Sequence, residues 1–174
     1  MKTAVVFCAS SSKIDPKYNQ TAREVVKALC AKGYGIVSGG SYRGTMGAVA
    51  DTAYECGAPN IGVIPSFMKG WEHPHLTELI WTETMSERKE KMREGTSLAV
   101  ALPGGIGTMD ELFETVVLKK LGRYQGKIVA YNLDGFYEPL KALLQHFVAT
   151  GMMTAEEVDM IAFPSTVEEL KALV

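Results

Sequence analysis

Three glycines and three acids crowd the stretch 101-ALPGGIGTMDELFE-114, two of the acids, Asp110 and Glu111, side by side. Gly104, Gly105 and Gly107 let the backbone come close to a ligand, at a cost in chain entropy. If a strand ends and a helix begins here, the free N–H groups and positive helix end suit a phosphate, with Pro103 and Thr108 bounding the cradle. Asp110 and Glu111 do not fit that role. A carboxylate beside bound phosphate is unfavourable unless it does chemistry. It can stabilise a cationic sugar during glycosyl transfer, or orient the water that attacks it. The plainer alternative is two acids in a first helical turn offsetting the helix dipole.

Two other stretches follow the same logic. In 8-CASSS-12 and 38-SGGSYRGTMG-47 a buried strand again ends in small residues before a helix. Ser10, Gly39, Gly40 and Gly44 are the candidate contacts there, and Arg43 adds a cation that can reach phosphate. The alternative is that these glycines only make tight turns and close packing. Neither glycine loop is a Walker A or a dinucleotide fingerprint, since no Lys follows the second and no GxGxxG opens the first. A fourth stretch, 85-MSERKEKM-92, sets Arg88 and Lys89 between Met85 and Met92, seven residues apart on one helical face. Arg88 near the glycine loops would hold an anion in a planar fork. Otherwise the segment is a solvated helix with pairs such as Glu87–Lys91.

The elements that must position these residues alternate. Strands are expected over 3–8, 35–40, 60–65, 79–84, 97–105 and 127–132, from short β-branched runs. Helices are expected over 16–32, 46–56, 86–93, 108–121 and 136–150, with two short ones over 154–160 and 165–173. Asp15 caps the first, with Pro16 at its first position. The alternation predicts one α/β domain over 1–174, a Rossmann-like, doubly wound, mostly parallel sheet with helices on both faces. The irregular stretch 65–79 reads as a lid or an interface. Leu112, Val116 and Val117 pack on the sheet or on a second copy.

Bulk properties narrow the function classes. A chain of 174 residues with 47% hydrophobic and 22% charged residues can bury a sizeable core. Its net charge of -2 argues against nucleic acid. Cys8, Cys30 and Cys56 lack CxxC spacing and read as small buried side chains in a reducing compartment. The three histidines form no zinc cluster with them. No signal or membrane segment is read in the chain, which points to the cytoplasm.

Taken together, 103-PGGIGTMDE-111 and 85-MSERKEKM-92 resemble the "Lonely guy" family of cytokinin riboside 5'-monophosphate phosphoribohydrolases, often labelled "possible lysine decarboxylase". The hallmark PGGxGTxxE is complete, and 39-GGSYRGTMG-47 is similar to the family's first glycine loop. The resemblance implies a Rossmann-like homodimer that hydrolyses a nucleoside 5'-monophosphate to free base and ribose 5-phosphate, without metal or organic cofactor. The base would be adenine or an N6-substituted adenine. It implies Arg88 and Glu111 as catalytic, and Gly104, Gly105, Gly107 and Thr108 as the phosphate loop. Ser41, Thr45 and Ser86 depart from the family pattern, as do Val117, Leu118, Lys120 and Tyr124, which bear on the base pocket or dimer interface. A decarboxylase would need a pyridoxal-phosphate Lys, and no Lys sits in a suitable loop. A nucleotide-binding or cofactor-carrier module without turnover would use the same glycine loops.

Overall fold

A computed structural model describes residues 2–174. Seven strands form one sheet: β1 (Lys2–Phe7), β2 (Tyr34–Ser38), β3 (Asn60–Pro65), β4 (Glu78–Thr82), β5 (Leu98–Ala101), β6 (Lys127–Ala130) and β7 (Ile161–Ala162). Their order is β4-β3-β2-β1-β5-β6-β7, and every pairing is parallel. Seven α-helices accompany them: α1 (Pro16–Ala31), α2 (Gly44–Glu55), α3 (Met85–Arg93), α4 (Ile106–Lys120), α5 (Glu138–Ala149), α6 (Ala155–Val158) and α7 (Val167–Leu173). This is the Rossmann-like α/β architecture that the alternation predicts.

Side-chain alternation along β1 explains how both faces are covered. Ala4 and Val6 join Val25, Leu29, Val49 and Leu170 in one core, under α1, α2 and α7. Val5 and Phe7 join Met92, Leu112, Val116 and Leu144 in the other, under α3, α4 and α5. A strand buried on both faces must be apolar throughout, because successive residues point opposite ways. Asp15 starts α1 as expected, its carboxylate accepting from Lys17 N–H at 2.9 Å.

The departures are local. Ile161–Ala162 adds a strand beside β6 between the two tail helices, too short for any periodicity to reveal. The strand read over 97–105 stops at Ala101, before Pro103, which has no N–H to give a neighbour. α4 begins at Ile106, so Asp110 and Glu111 lie beyond its first turn, and dipole compensation does not account for them. Cys8 is buried, but Cys56 is exposed at the end of α2. Leu112 and Val116 pack on the sheet, whereas Val117 is exposed. Among the described residues, no helix is long and apolar enough to cross a membrane.

Strand order also fixes where a ligand can enter. From β1 the chain winds outward through β2, β3 and β4, then returns to β1's other side as β5. The loops after β1 and β5 therefore diverge, and a crevice opens between them at the carboxyl edge of the sheet.

Candidate active site

A cavity of about 400 Å³ occupies that crevice. Its walls come from Cys8–Ser11 after β1, Gly39 after β2, and the starts of α3 and α4. Met46, Met68, Met85 and Met92 supply an apolar side, and Arg88 and Glu111 face one another across it. A larger cavity of about 720 Å³ lies between α3, α4 and residues 123–125, on the other side of α3. Its buried cation Arg93 is already paired with Glu114 at 3.1 Å, and no glycine loop borders it. The smaller cavity has the chemistry.

Arg88 is placed by a well-started helix. Thr84 Oγ1 accepts from Glu87 N–H at 3.1 Å, while the Glu87 carboxylate accepts from Glu83 N–H at 2.8 Å. This engages Glu87, and Lys91 turns to Glu94 at 2.8 Å, so the Glu87–Lys91 pair of the solvated-helix alternative does not form. From α3 the guanidinium spans the ends of two strands. Nε donates to Val63 O at 2.9 Å, Nη2 to Gly39 O at 3.3 Å, and Nη1 to Glu111 Oε1 at 3.4 Å.

The Arg88–Glu111 contact is longer than the ~2.7–2.9 Å of a tight charge-assisted bond. Both residues are buried, Arg88 at 7% exposure and Glu111 at 8%. Burial pushes the Glu111 carboxyl up to about 7, against the opposing pull of Arg88. Burial likewise lowers Arg88, which Glu111 opposes. Cys8, at the floor, is held as a neutral thiol, first by burial and then by the Glu111 charge. The result is a carboxyl near neutrality beside a fixed cation, loosely enough coupled to engage a ligand.

The two glycine loops, alike in sequence, end differently. The first α4 helix bond runs from Met109 N–H to Gly105 O at 3.1 Å, so the N–H groups of Ile106, Gly107 and Thr108 have no helix carbonyl to reach. No side chain caps this end, and nothing stands within 4 Å of where a Cβ would project from Gly105 or Gly107. Below it Thr108 Oγ1 is buried without a partner, packed under Gly104, where a Cβ would come within 2.1 Å of it. At α2 the opening is partly closed by the chain after β1. Thr45 N–H donates to Ala9 O at 3.0 Å, its hydroxyl donates to Asn19 Oδ1 at 3.0 Å, and Gly44 packs on the Ser10 and Ser11 backbone.

Comparison with known proteins gives the chain's family and fold. Residues 46–174 match the family described as "Possible lysine decarboxylase". A relative from Mycobacterium tuberculosis, named cytokinin riboside 5'-monophosphate phosphoribohydrolase, is 34% identical over 169 residues, covering 96% of this chain and 90% of its own. The chain belongs to this family. A second relative of the same name, from Rhodococcoides fascians, is 35% identical, covering 88% of this chain and 79% of its own. Among solved structures, the molybdenum cofactor binding protein of Rippkaea orientalis superposes with a TM-score of 0.76 at 18% identity, over 99% of this chain and 95% of that one. The Chlamydomonas reinhardtii molybdenum cofactor carrier protein gives 0.75 at 18%, over 99% and 96%. At such identity these two share the fold.

Of the candidate site residues read from the sequence, Ser10, Gly39, Met85, Arg88, Gly105, Gly107, Thr108 and Glu111 line the cavity together. Pro103, Gly104, Gly40 and Gly44 stand behind it as packing. Lys89 turns away, its Nζ 2.9 Å from Asp110 and 3.0 Å from Glu114. That separates the two acids: Asp110 serves Lys89, while Glu111 serves the cavity. Arg43 also points elsewhere, its guanidinium 3.9 Å from the Trp71 ring centre. Of the family departures, Ser86, Leu118 and Tyr124 border the larger cavity, and none of Val117, Leu118, Lys120 and Tyr124 reaches the Glu111 cavity. Sequence reasoning missed Cys8, Met46 and Met68 as lining residues. Only the shared spacing of Met85 and Met92 hinted at a thioether wall.

A second cluster was not foreseen. Ligand atoms of Asp51, His73 and His75 lie within 4.8 Å of one another. Proton bookkeeping argues against a metal there. His73 Nδ1 accepts the His75 N–H at 3.2 Å, so the ring proton sits on Nε2 and is donated to Asp51 Oδ1 at 3.1 Å. Asp51 also receives Arg23 at 3.5 Å. His73, Asp51 and Arg23 thus form a hydrogen-bond chain, with the His75 ring stacked on Tyr54 beside it.

Proposed function

We propose that this family member hydrolyses the N-glycosidic bond of a nucleoside 5'-monophosphate, releasing free base and ribose 5-phosphate. One observation carries the reading. A buried carboxyl near neutrality faces a fixed guanidinium in a cavity whose rim is an uncapped helix N-terminus. The phosphate takes the N–H groups of Ile106, Gly107 and Thr108, with Ser10 opposite. The ribose then lies over Glu111 and the base against the methionines, which adapt to purine shape and to an N6 substituent. As the C1′–N bond breaks, its electron pair leaves with the base, which takes a proton from solvent, to which Glu111 later returns the one it receives from the attacking water. The ionised Glu111 stabilises positive charge at C1′ and orients the water that adds there. Its titration near pH 7 lets it receive a proton from that water. That the relatives are named for cytokinin riboside 5'-monophosphates supports a nucleoside monophosphate of this kind as substrate.

The same reading takes residues 1–174 as one nucleotide-binding domain of a cytoplasmic homodimer. Ile106, Phe113 and Val117 follow at seven and four residues along one face of α4, ending near Leu121. Ile106 is 89% exposed, Leu121 64% and Val117 52%, an apolar row that a second copy would cover.

The test is direct. Purified protein is incubated with AMP, N6-isopentenyl-AMP, GMP, CMP and the matching nucleosides, and free base is followed by chromatography. Release from monophosphates alone, lost in Glu111→Gln and Arg88→Ala, is the expected result. Nucleotide binding without release from any of them would overturn it in favour of a non-catalytic binding or carrier module.

A further inference from the structure

The segment between β3 and β4, which sequence suggests as a lid or an interface, is a strap zipped onto the first glycine loop. Tyr42 N–H donates to Trp71 O at 3.0 Å, and His73 N–H donates to Gly40 O at 2.8 Å. Ser41 and Glu72 pair between them as an antiparallel bridge. The strap turns tightly at Gly70, whose N–H donates to the Glu72 carboxylate at 2.6 Å. The glycine loop is pinned on its other side too, since a Cβ on Gly40 would stand 2.8 Å from Gly62 Cα.

Beneath the strap lies a buried imidazole that the proposed chemistry does not use. The His73 side chain is 5% exposed, and its Nε2–H reaches across to Asp51 on α2. Burial lowers its pKa against the pull of Asp51, in keeping with a neutral ring. From there the contacts run straight to the site. The His73 backbone N–H, placed by the anchored ring, holds Gly40 O, the adjacent Gly39 O accepts from Arg88 Nη2, and Arg88 Nη1 faces Glu111.

We propose that His73, anchored by Asp51, is a positioning residue that sets the Arg88–Glu111 geometry through the Gly39–Gly40 carbonyls. The inference rests on the proposed hydrolase reading for its kinetic consequence, but not for its structural one. With the anchor gone, the strap and glycine loop lose their fixed place against α2. Arg88 loses its Gly39 acceptor and swings from Glu111. Small displacements of this kind cost roughly tenfold to hundredfold in rate. They also lift the Glu111 carboxyl, because Arg88 is the main group pulling it down. The other charges facing Glu111 are Lys89 and Arg93 from α3 and Asp110 from α4. Those facing His73 are Asp51 and His75, with Arg23 beyond Asp51.

The experiment compares the full-length chain with His73→Phe, His73→Gln and Asp51→Ala, with Arg23→Ala as control for the second partner of Asp51. Two quantities are read: kcat and KM for nucleotide hydrolysis, and the Glu111 carboxyl titration by carbon-13 NMR, assigned with Glu111→Gln. His73→Phe and Asp51→Ala should lower kcat about tenfold or more with KM within about threefold. The Glu111 titration should rise in both. His73→Gln, whose amide still donates to Asp51, should restore most of each, and Arg23→Ala should match the parent. Folded His73→Phe or Asp51→Ala with an unchanged Glu111 titration would overturn the inference. If the parent releases no base, the hydrolase reading fails, and the NMR titration alone still decides the role of His73. Should His73→Phe not fold, the partly exposed Asp51→Ala decides it.

Discussion

Glu111 is the residue on which fold and chemistry pull apart. Desolvation holds its carboxyl near pH 7 in the folded chain, against about 4.5 for an ordinary glutamate. The folded state therefore grips the proton more tightly than the unfolded one. That contribution to stability is complete below about pH 4.5 and is lost as pH rises through about 7. Glu111→Gln behaves as a permanently neutral Glu111. It should match the parent near pH 4.5 and exceed it at pH 8 by roughly 2–3 kcal/mol in urea unfolding, while base release disappears. Equal stability at pH 8 would mean that Arg88 compensates the ionised carboxylate in full. Residue type and position marked both acids after the glycines, and within the sequence only the family resemblance set Glu111 apart from Asp110. In the structure that separation depends on Lys89 reaching across from α3 to take Asp110.

The glycine loops carry the lesson at the scale of elements. Both were legible as strand-to-helix turns, yet α4 leaves the N–H groups of its first three residues without a protein acceptor among the described residues, whereas at α2 Thr45 N–H is taken by Ala9 O. The α2 end is partly closed by the 9–11 backbone, a neighbour far away in sequence. Within the first loop the paired glycines have separate reasons. Gly40 has φ 69° and abuts Gly62 backbone, so both its own backbone and its neighbour's exclude a side chain. Gly39 lacks that constraint, but a Cβ there would meet Arg88 Nη2 at 2.2 Å and Met46 Sδ at 2.6 Å, both ends of flexible side chains. Gly40→Ala should therefore lower stability by about 1–3 kcal/mol. Gly39→Ala should keep a near-parental melting temperature and lose roughly a hundredfold in kcat/KM as Arg88 is displaced. Thermal unfolding and steady-state kinetics on the two variants check the split, and the reverse pattern would show that Gly39 is structural and Gly40 is not.

For the whole molecule, the β-α alternation made the parallel sheet and its two covered faces readable, because a doubly buried strand must be apolar at every position. Strand order was not readable, since long-range pairing leaves no local mark. Yet that order places the crevice between β1 and β5. The two-residue β7 escaped for a related reason: its pairing with β6 defines it, and its own residues do not. Surface composition raises the remaining question of assembly. α4 turns Leu112 and Val116 to the sheet and leaves Ile106 and Val117 to solvent. Ile106 also borders the cavity, so whatever covers this face stands at the mouth of the site. A second copy covering the row would narrow that mouth and keep water ordered around Glu111. Val117→Glu with Leu121→Glu places two charges in the row without touching a cavity residue. In sedimentation velocity the parent should run as a dimer and the double variant as a monomer. The variant's base release should fall with dissociation, although Arg88 and Glu111 are intact. A monomeric parent with full activity would show that the Ile106 face works uncovered and that one chain completes the site.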